Sequence, residues 1–167
     1  MAELTPAERL QPSLLDRLTD EDPKSQKEPR DQRVLSIAQL RAGVIRDLDW
    51  LLNTAHLEGV QPLDAYPEVA RSTLNYGMPE LTGLSASSIK PEKVQQAIRQ
   101  AIVDYEPRIL AETVKVRARV AKGEMSHNTV TFEIEGDLWA YPVPVHLYLK
   151  TEFDLEDGSV SVLETSA

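Results

Sequence analysis

Val94 to Val120 reads VQQAIRQAIVDYEPRILAETVKVRARV, and its hydrophobic period changes part-way along. Val94, Ala97, Ile98, Ala101, Ile102 and Tyr105 fall on one helical stripe. Val114, Val116, Ala118 and Val120 instead alternate with Lys115, Arg117 and Arg119, the period of a half-buried strand. Between the two patterns stands Glu106-Pro107-Arg108. Pro107 has no backbone donor and disfavours helix at the residue before it, so the helix-to-strand corner falls at this triplet. The spacing predicts a helix over residues 91–106, with Pro91 suited to its first turn, and a strand over about 110–121. Both charges of the triplet are then held at a fixed boundary.

Working outward from this corner, a long helix is predicted over about 33–53. Val34, Ile37, Ala38, Val44, Ile45, Leu48, Leu51 and Leu52 follow its repeat, and Trp50 stands partly off the stripe. Residues 54–88 read as irregular. Gly77 and Gly83 flank Pro79 there, which predicts a rigid, ordered loop carrying Tyr76. Downstream of the corner, strands are predicted over 129–135, 145–153 and 159–163. Val130, Phe132 and Ile134 face inward on the first of these, and Val145, Leu147, Leu149 and Phe153 on the second. Asp157-Gly158 signals the last hairpin. Outward Lys and Arg of the strand after the corner are expected to meet outward Glu of the next strand. The fold class is therefore α+β, with N-terminal helices packed on a C-terminal antiparallel sheet of about four strands.

The chain's 167 residues suit one folded body at roughly 150 residues per domain. A core of ordinary size is available, so no disulfide or metal is needed to hold it. Cysteine is absent, which excludes thiolate catalysis, disulfides and cysteine metal sites. A formal net charge of -9 argues against general nucleic-acid binding, which needs clustered Lys and Arg. No apolar run approaches the ~20 residues of a membrane span, and no secretory signal is read at the N-terminus. The protein is expected in the cytoplasm.

Residues 1–32 are expected to form an N-terminal helix and flexible linker ahead of a body over 33–167. Leu14, Leu15 and Leu18 mark a short amphipathic turn, and Pro12 and Ser13 suit a helix start. The stretch 19–32 is almost wholly polar, with Pro23 and Pro29. Two readings are open: the helix folds back on its own body, or it docks on a partner through its leucines.

Candidate chemistry is sparse. Glu133 with Glu135, and Glu152 with Asp154, are carboxylate pairs of the type a glycosidase would need. Carboxylates two apart on an exposed strand are more often a solvated face, and no apolar pocket is evident to raise one pKa. His56, His127 and His146 show no metal-ligand spacing, and no Gly-x-Ser-x-Gly elbow frames a serine. No catalytic residue, metal site or cofactor is expected. Glu106 and Arg108 have a bland reading too, in which Pro107 stops the helix and Arg108 rests by its negative end.

The order and spacing of several segments carry further. They are Ser13-Leu14-Leu15-Asp16-Arg17-Leu18, Leu48-Asp49-Trp50-Leu51-Leu52-Asn53, and Tyr66-Pro67 with Ser72. They continue through Leu74-Asn75-Tyr76-Gly77-Met78-Pro79-Glu80-Leu81-Thr82-Gly83, Ala101 to Arg108, and Ile134-Glu135-Gly136-Asp137-Leu138-Trp139-Ala140. Together they resemble the TssE family of type VI secretion baseplate subunits, relatives of the small wedge protein of contractile phage baseplates. Glu80 and Tyr105 stand where that family usually has Asp and often has Phe.

The resemblance implies a structural role. TssE-like subunits join TssF and TssG in baseplate wedges, with the Glu-Pro-Arg triplet at the contact, in multiple copies of a sixfold baseplate at the cytoplasmic face of the inner membrane. They also present a sheet to which the first sheath ring, TssB and TssC, adds strands. Expected partner-binding residues are thus Glu106, Pro107 and Arg108, the leucines Leu14, Leu15 and Leu18, the loop residue Tyr76, and Val160 and Val162 on the last strand. A peptidoglycan glycosidase, and a baseplate subunit of a phage or other contractile system, are the alternatives.

Overall fold

The computed structural model describes residues 13–19, 36–79, 90–119, 129–140 and 143–165. Helices α1 (Leu14–Leu18), α2 (Ile37–Leu52), α3 (Pro67–Ala70) and α4 (Pro91–Tyr105) come first. Strands β1 (Lys115–Arg119), β2 (Thr129–Leu138), β3 (Val145–Asp154) and β4 (Val160–Glu164) follow. They lie in the order β1-β2-β3-β4, each antiparallel to the next. This is the expected α+β layout. The greater part of the polar stretch 19–32, and Glu80 to Gly83, Val120 and His127, lie outside the described residues.

Local chemistry explains where the long helices begin and stop. At the start of α2, Ser36 Oγ accepts from Gln39 N (3.2 Å) and Gln39 Oε1 accepts from Ser36 N (2.9 Å). These reciprocal bonds satisfy helix-start donors that would otherwise lack partners. Leu40, Val44, Leu48, Leu51 and Leu52 form its buried face. α4 opens on Pro91 and buries Val94, Ile98, Ala101 and Ile102. It ends at Tyr105, where Glu106 N donates to Ile102 O (2.9 Å) and Pro107 blocks a further turn.

α2 packs beside β4 and α4 beside β1. Their apolar faces close on Phe132, Ile134, Leu147 and Leu149, all buried. Each such side chain contributes about 1.5–3 kcal/mol through burial. Thr151 interrupts the apolar row of β3 yet is fully covered, because its hydroxyl donates to Phe132 O (3.1 Å).

Strand boundaries depart from the sequence reading for identifiable reasons. Residues 110–114 do not belong to β1. Thr113 N and Thr113 Oγ1 both donate to Leu110 O (2.9 and 2.7 Å), closing a tight turn that delays the strand to Lys115. β2 runs to Leu138 rather than residue 135, since Gly136, Asp137 and Leu138 still pair with Leu147, His146 and Val145. A Cβ at Gly136 would stand 2.8 Å from Ile109 Cγ2, so glycine is what lets the corner pack on the sheet. The corner is stitched there by Trp139 N donating to Arg108 O (2.7 Å) and Leu110 N to Asp137 O (2.9 Å). The last hairpin is longer than a two-residue turn. Gly158, with φ of 76°, closes a connection over 155–159, and β4 starts at Val160.

The expected cross-strand charge pairs form, but diagonally. Arg117 meets Glu135 (3.0 Å) and Arg119 meets Glu133 (2.7 Å), although Arg117 lies opposite Glu133 in register.

Helix side chains cap parts of both sheet edges. On β1, Val116 O accepts from Gln95 Nε2 (3.0 Å), and Val114 O, just before the strand, accepts from Arg99 Nε (3.3 Å). On β4, Asn53 Oδ1 accepts from Val160 N and Asn53 Nδ2 donates to Val160 O, both at 2.8 Å. Arg41 Nη2 donates to His146 O (2.7 Å) and its other terminal nitrogen pairs with Glu164.

The loop bearing Tyr76 is anchored within the described residues. Its anchor is Met78, whose N–H donates to Thr54 O (2.7 Å) and whose carbonyl accepts from His56 N (3.0 Å). Gly77 enters this bridge at φ 127°, and a Cβ on it would lie 2.3 Å from Thr54 O. Gly77→Ala is therefore expected to destabilise the fold by at least the ~1–3 kcal/mol of a disfavoured backbone conformation. Urea unfolding checks this, and an unchanged midpoint would refute the assigned geometry.

Candidate functional site at the helix-to-strand corner

The corner gathers charges from three segments of the chain. Glu106 caps α4 and is buried, at 4% exposure. Its Oε1 accepts from Arg108 N (3.1 Å) and Arg108 Nε (2.7 Å), and its Oε2 accepts from Arg108 Nη2. That same Nη2 reaches Asp47 Oδ2 on α2. Asp47 Oδ1 in turn accepts from Arg46 Nε (2.9 Å), and Arg46 Nη1 donates to Asp16 Oδ1 on α1 (2.6 Å). The result is an alternating ladder, Glu106–Arg108–Asp47–Arg46–Asp16.

Electrostatics follow from this geometry. Burial works against the charge on Arg108, but the Glu106 and Asp47 carboxylates outweigh it and raise its pKa above the ordinary value. Partial burial alone would raise Asp16, yet bonds from Ser13 and Arg46 hold it below its ordinary 3.8. Burial pushes the Tyr76 hydroxyl up, helped by the Asp47 and Glu106 charges.

Beside the ladder lies a cavity lined by Leu15, Trp50, Leu51, Tyr76, Tyr105 and Pro107. Tyr76 and Tyr105 meet edge to face, with ring centroids 5.3 Å apart. The Tyr105 hydroxyl donates to Asn75 O (2.9 Å) and Ser72 O (3.1 Å), which ties the Tyr76 loop to α4. Arg46 lies over the Trp50 ring, 5.2 Å from its centre.

The structure therefore brings together Glu106, Pro107, Arg108, Leu15 and Tyr76. It does not bring Val160 and Val162 to them; these lie on β4, where Val160 is buried and its backbone N–H and C=O are both taken by Asn53. Leu14 and Leu18 flank Asp16 on α1 and stand largely exposed. The sequence reading missed Asp16, Arg46 and Asp47. Their signal was faint: one acid between leucines, and one adjacent opposite-charge pair beside the stripe of α2.

The other polar candidates are engaged elsewhere. Glu152 pairs with Lys150 (2.6 Å), and Asp154 Oδ1 accepts from Glu156 N (2.8 Å). Partial desolvation would raise Glu133, but bonds from Tyr148 and Arg119 lower its pKa instead, the wrong direction for a general acid at neutral pH. His56 caps the turn at Gly59, and His146 Nδ1 lies 2.8 Å from Asp137. Among the described residues, no three acidic or histidine side chains could hold a metal ion together.

A family model described as baseplate wedge protein gp25 matches residues 38–143. The chain belongs to that family. The match takes in nearly all of α2, the charged corner, β1 and β2, whereas α1, β3 and β4 fall outside it. Comparisons with curated proteins and with solved structures returned no match. Family membership gives the chain a structural role in the baseplate of a contractile injection system, assembled with other baseplate components. No helix among the described residues is long and apolar enough to cross a membrane.

Removing Arg108 strands the buried Glu106 carboxylate, whereas removing Glu106 leaves Arg108 still paired with Asp47. Arg108→Ala is expected to destabilise the fold by about 3 kcal/mol, the low end for a broken buried pair, and Glu106→Ala by less. Chemical denaturation measures this, and variants as stable as the parent would show that the ladder contributes nothing to the fold. The link to α1 is weaker. Asp16→Asn should loosen α1 by about 0.5–1 kcal/mol, seen as faster amide exchange over residues 14–18 with the body unchanged. Since the folded pKa of Asp16 is depressed, its contribution is present above pH 3.8 and fades as pH falls through the lowered value. Methyl NMR of Leu14 and Leu18 should accordingly show no release of α1 from pH 7 to 5.

Proposed function

We propose that this chain is the wedge subunit of a type VI secretion baseplate, joining TssF and TssG and nucleating the contractile sheath of TssB and TssC. Membership of the baseplate wedge family over residues 38–143 is the observation that carries this reading. The contact with TssF and TssG is assigned to the corner, where Pro107 is exposed and Arg108 retains an open edge above the buried Glu106. The role is non-enzymatic and needs no cofactor or nucleic acid. It is exercised in several copies per sixfold baseplate, in the cytoplasm against the inner membrane.

The sheath is assigned to the free part of β4. Asp154 N donates to Ser159 O (2.9 Å) and Thr165 N to Tyr148 O (3.1 Å), so odd-numbered residues face β3. By antiparallel alternation, Val160, Val162 and Glu164 turn their backbone groups outward. Asn53 already holds Val160. Val162 is the position from which an added strand would pair, in the manner of β-augmentation.

Two experiments test the proposal. Affinity purification from native cells should recover TssF, TssG and the sheath proteins, and recovery of phage tail proteins instead would place the chain in another contractile system. Val162→Pro removes an outward N–H that the sheet does not use, and proline is tolerated on such edges. Cells with this variant at normal abundance should form baseplates but few sheaths. Sheaths of normal number and length would rule out Val162 as the template position. Val160→Pro would serve less well, because it breaks the bond to Asn53 and tests folding.

A further inference from the structure

Residues 55–78 form a long closed loop between α2 and α4. A bridge from Ala55 to Met78 joins its two ends, so the shape of what lies between is set by the loop's own contacts. Three single turns, Leu57–Gly59, α3 and Thr73–Asn75, pack on one another there. A buried polar side chain locks them. Asn75 Oδ1 accepts from Glu58 N and Asn75 Nδ2 donates to Ala70 O, both at 2.9 Å, so one amide ties all three turns. Leu63 and Met78 are buried beneath, whereas Val60, Tyr66 and Leu74 are 82%, 57% and 69% exposed. Apolar side chains scattered singly over a surface need no explanation. Here three are carried outward on turns that a buried amide fixes together, a loop built in the manner of a binding element.

We propose that this loop docks a basic segment of another protein, whose apolar side chains rest on Val60, Tyr66 and Leu74 while its Lys or Arg meets Glu58, Asp64 and Glu68. The charge of the loop selects this occupant. Glu58, Asp64 and Glu68 are exposed, and Arg71 is the one Lys or Arg between residues 54 and 79. None of the three carboxylates is in an ion pair among the described residues. A basic partner meets that surplus, and an acidic one is repelled. The same charge rejects the other occupants of an apolar patch. Anionic lipid headgroups and nucleic-acid phosphates are repelled. A second copy of this chain would bring an identical acidic loop to a symmetric contact. The surface is distinct from the charged corner, since none of these six residues lines its cavity. It is also separate from β4, so the inference stands independently of the wedge reading.

The test follows the amide NMR shifts of the isotope-labelled full chain during titration with two synthetic peptides of equal length. One is composed of Leu, Ser and Lys, the other of Leu, Ser and Glu. The Lys peptide should shift amides over residues 57–75 and leave those of α1 and β4 in place, and the Glu peptide should shift none. This comparison uses the parent chain and needs no variant. Val60→Ser with Leu74→Ser removes the apolar contact, and Glu58→Gln with Asp64→Asn and Glu68→Gln removes the charge. All five side chains are exposed, so the urea midpoint should not move. Each set should weaken binding by about tenfold or more, as loss of a central contact does. Weakening by the amide set alone would reduce the effect to net charge and overturn the proposal. Shifts spread over the whole chain, or binding of both peptides or of neither, would overturn it too. Phosphatidylglycerol vesicles should leave the spectrum unchanged, and loss of the loop signals on them would make the occupant a lipid surface instead. Co-purification with TssF and TssG is read separately, because its failure sinks the proposed function and leaves this surface standing.

Discussion

Arg108 is the side chain on which the arrangement of helices and sheet depends. It grips the carboxylate that ends α4, reaches Asp47 on α2, and its carbonyl accepts from Trp139 just beyond β2. A planar guanidinium suits this, because its donors point in fixed directions and serve two carboxylates at once. Lysine would bring the charge without the fork. Pro107 contributes by halting α4 at the residue whose carboxylate Arg108 needs. The triplet thus works as a joint, and the charge of one element is spent on locating another.

Beyond the joint, the protein manages its sheet edges with side chains from its own helices. Gln95 and Arg99 of α4 reach carbonyls at the β1 edge, and Asn53 at the end of α2 holds both backbone groups of Val160. A bare edge pairs readily with any extended chain, so capping restricts where a new strand can join. Selective capping fits an assembly protein better than complete closure would. The stretch near Val162 is the one we propose for an added strand.

α1 extends the same economy of contacts. It is attached through Asp16 to the far end of the charge ladder, so its position is coupled to the corner across Arg46 and Asp47. Of the two readings that the sequence left open, the contact with Arg46 shows α1 resting on its own body, with Leu14 and Leu18 exposed.

Period and punctuation alone determined most of the fold. The apolar stripes of α2 and α4, the alternation in β2 and β3, and Pro107 between two patterns specify elements locally, because burial of one face fixes helix or strand. The family resemblance was also readable, from the order of motifs along the chain. Contacts between distant residues were not. Nothing local to Asp16, Arg46 or Asp47 reveals that they share a ladder, nor does Asn53 announce its grip on Val160. Turn bonds also moved boundaries: Thr113 delayed β1, and the connection at 155–159 outgrew its Asp157-Gly158 signal. The sequence dictates which surfaces are apolar. Only the packed fold decides which polar groups, far apart in the chain, come within hydrogen-bonding reach.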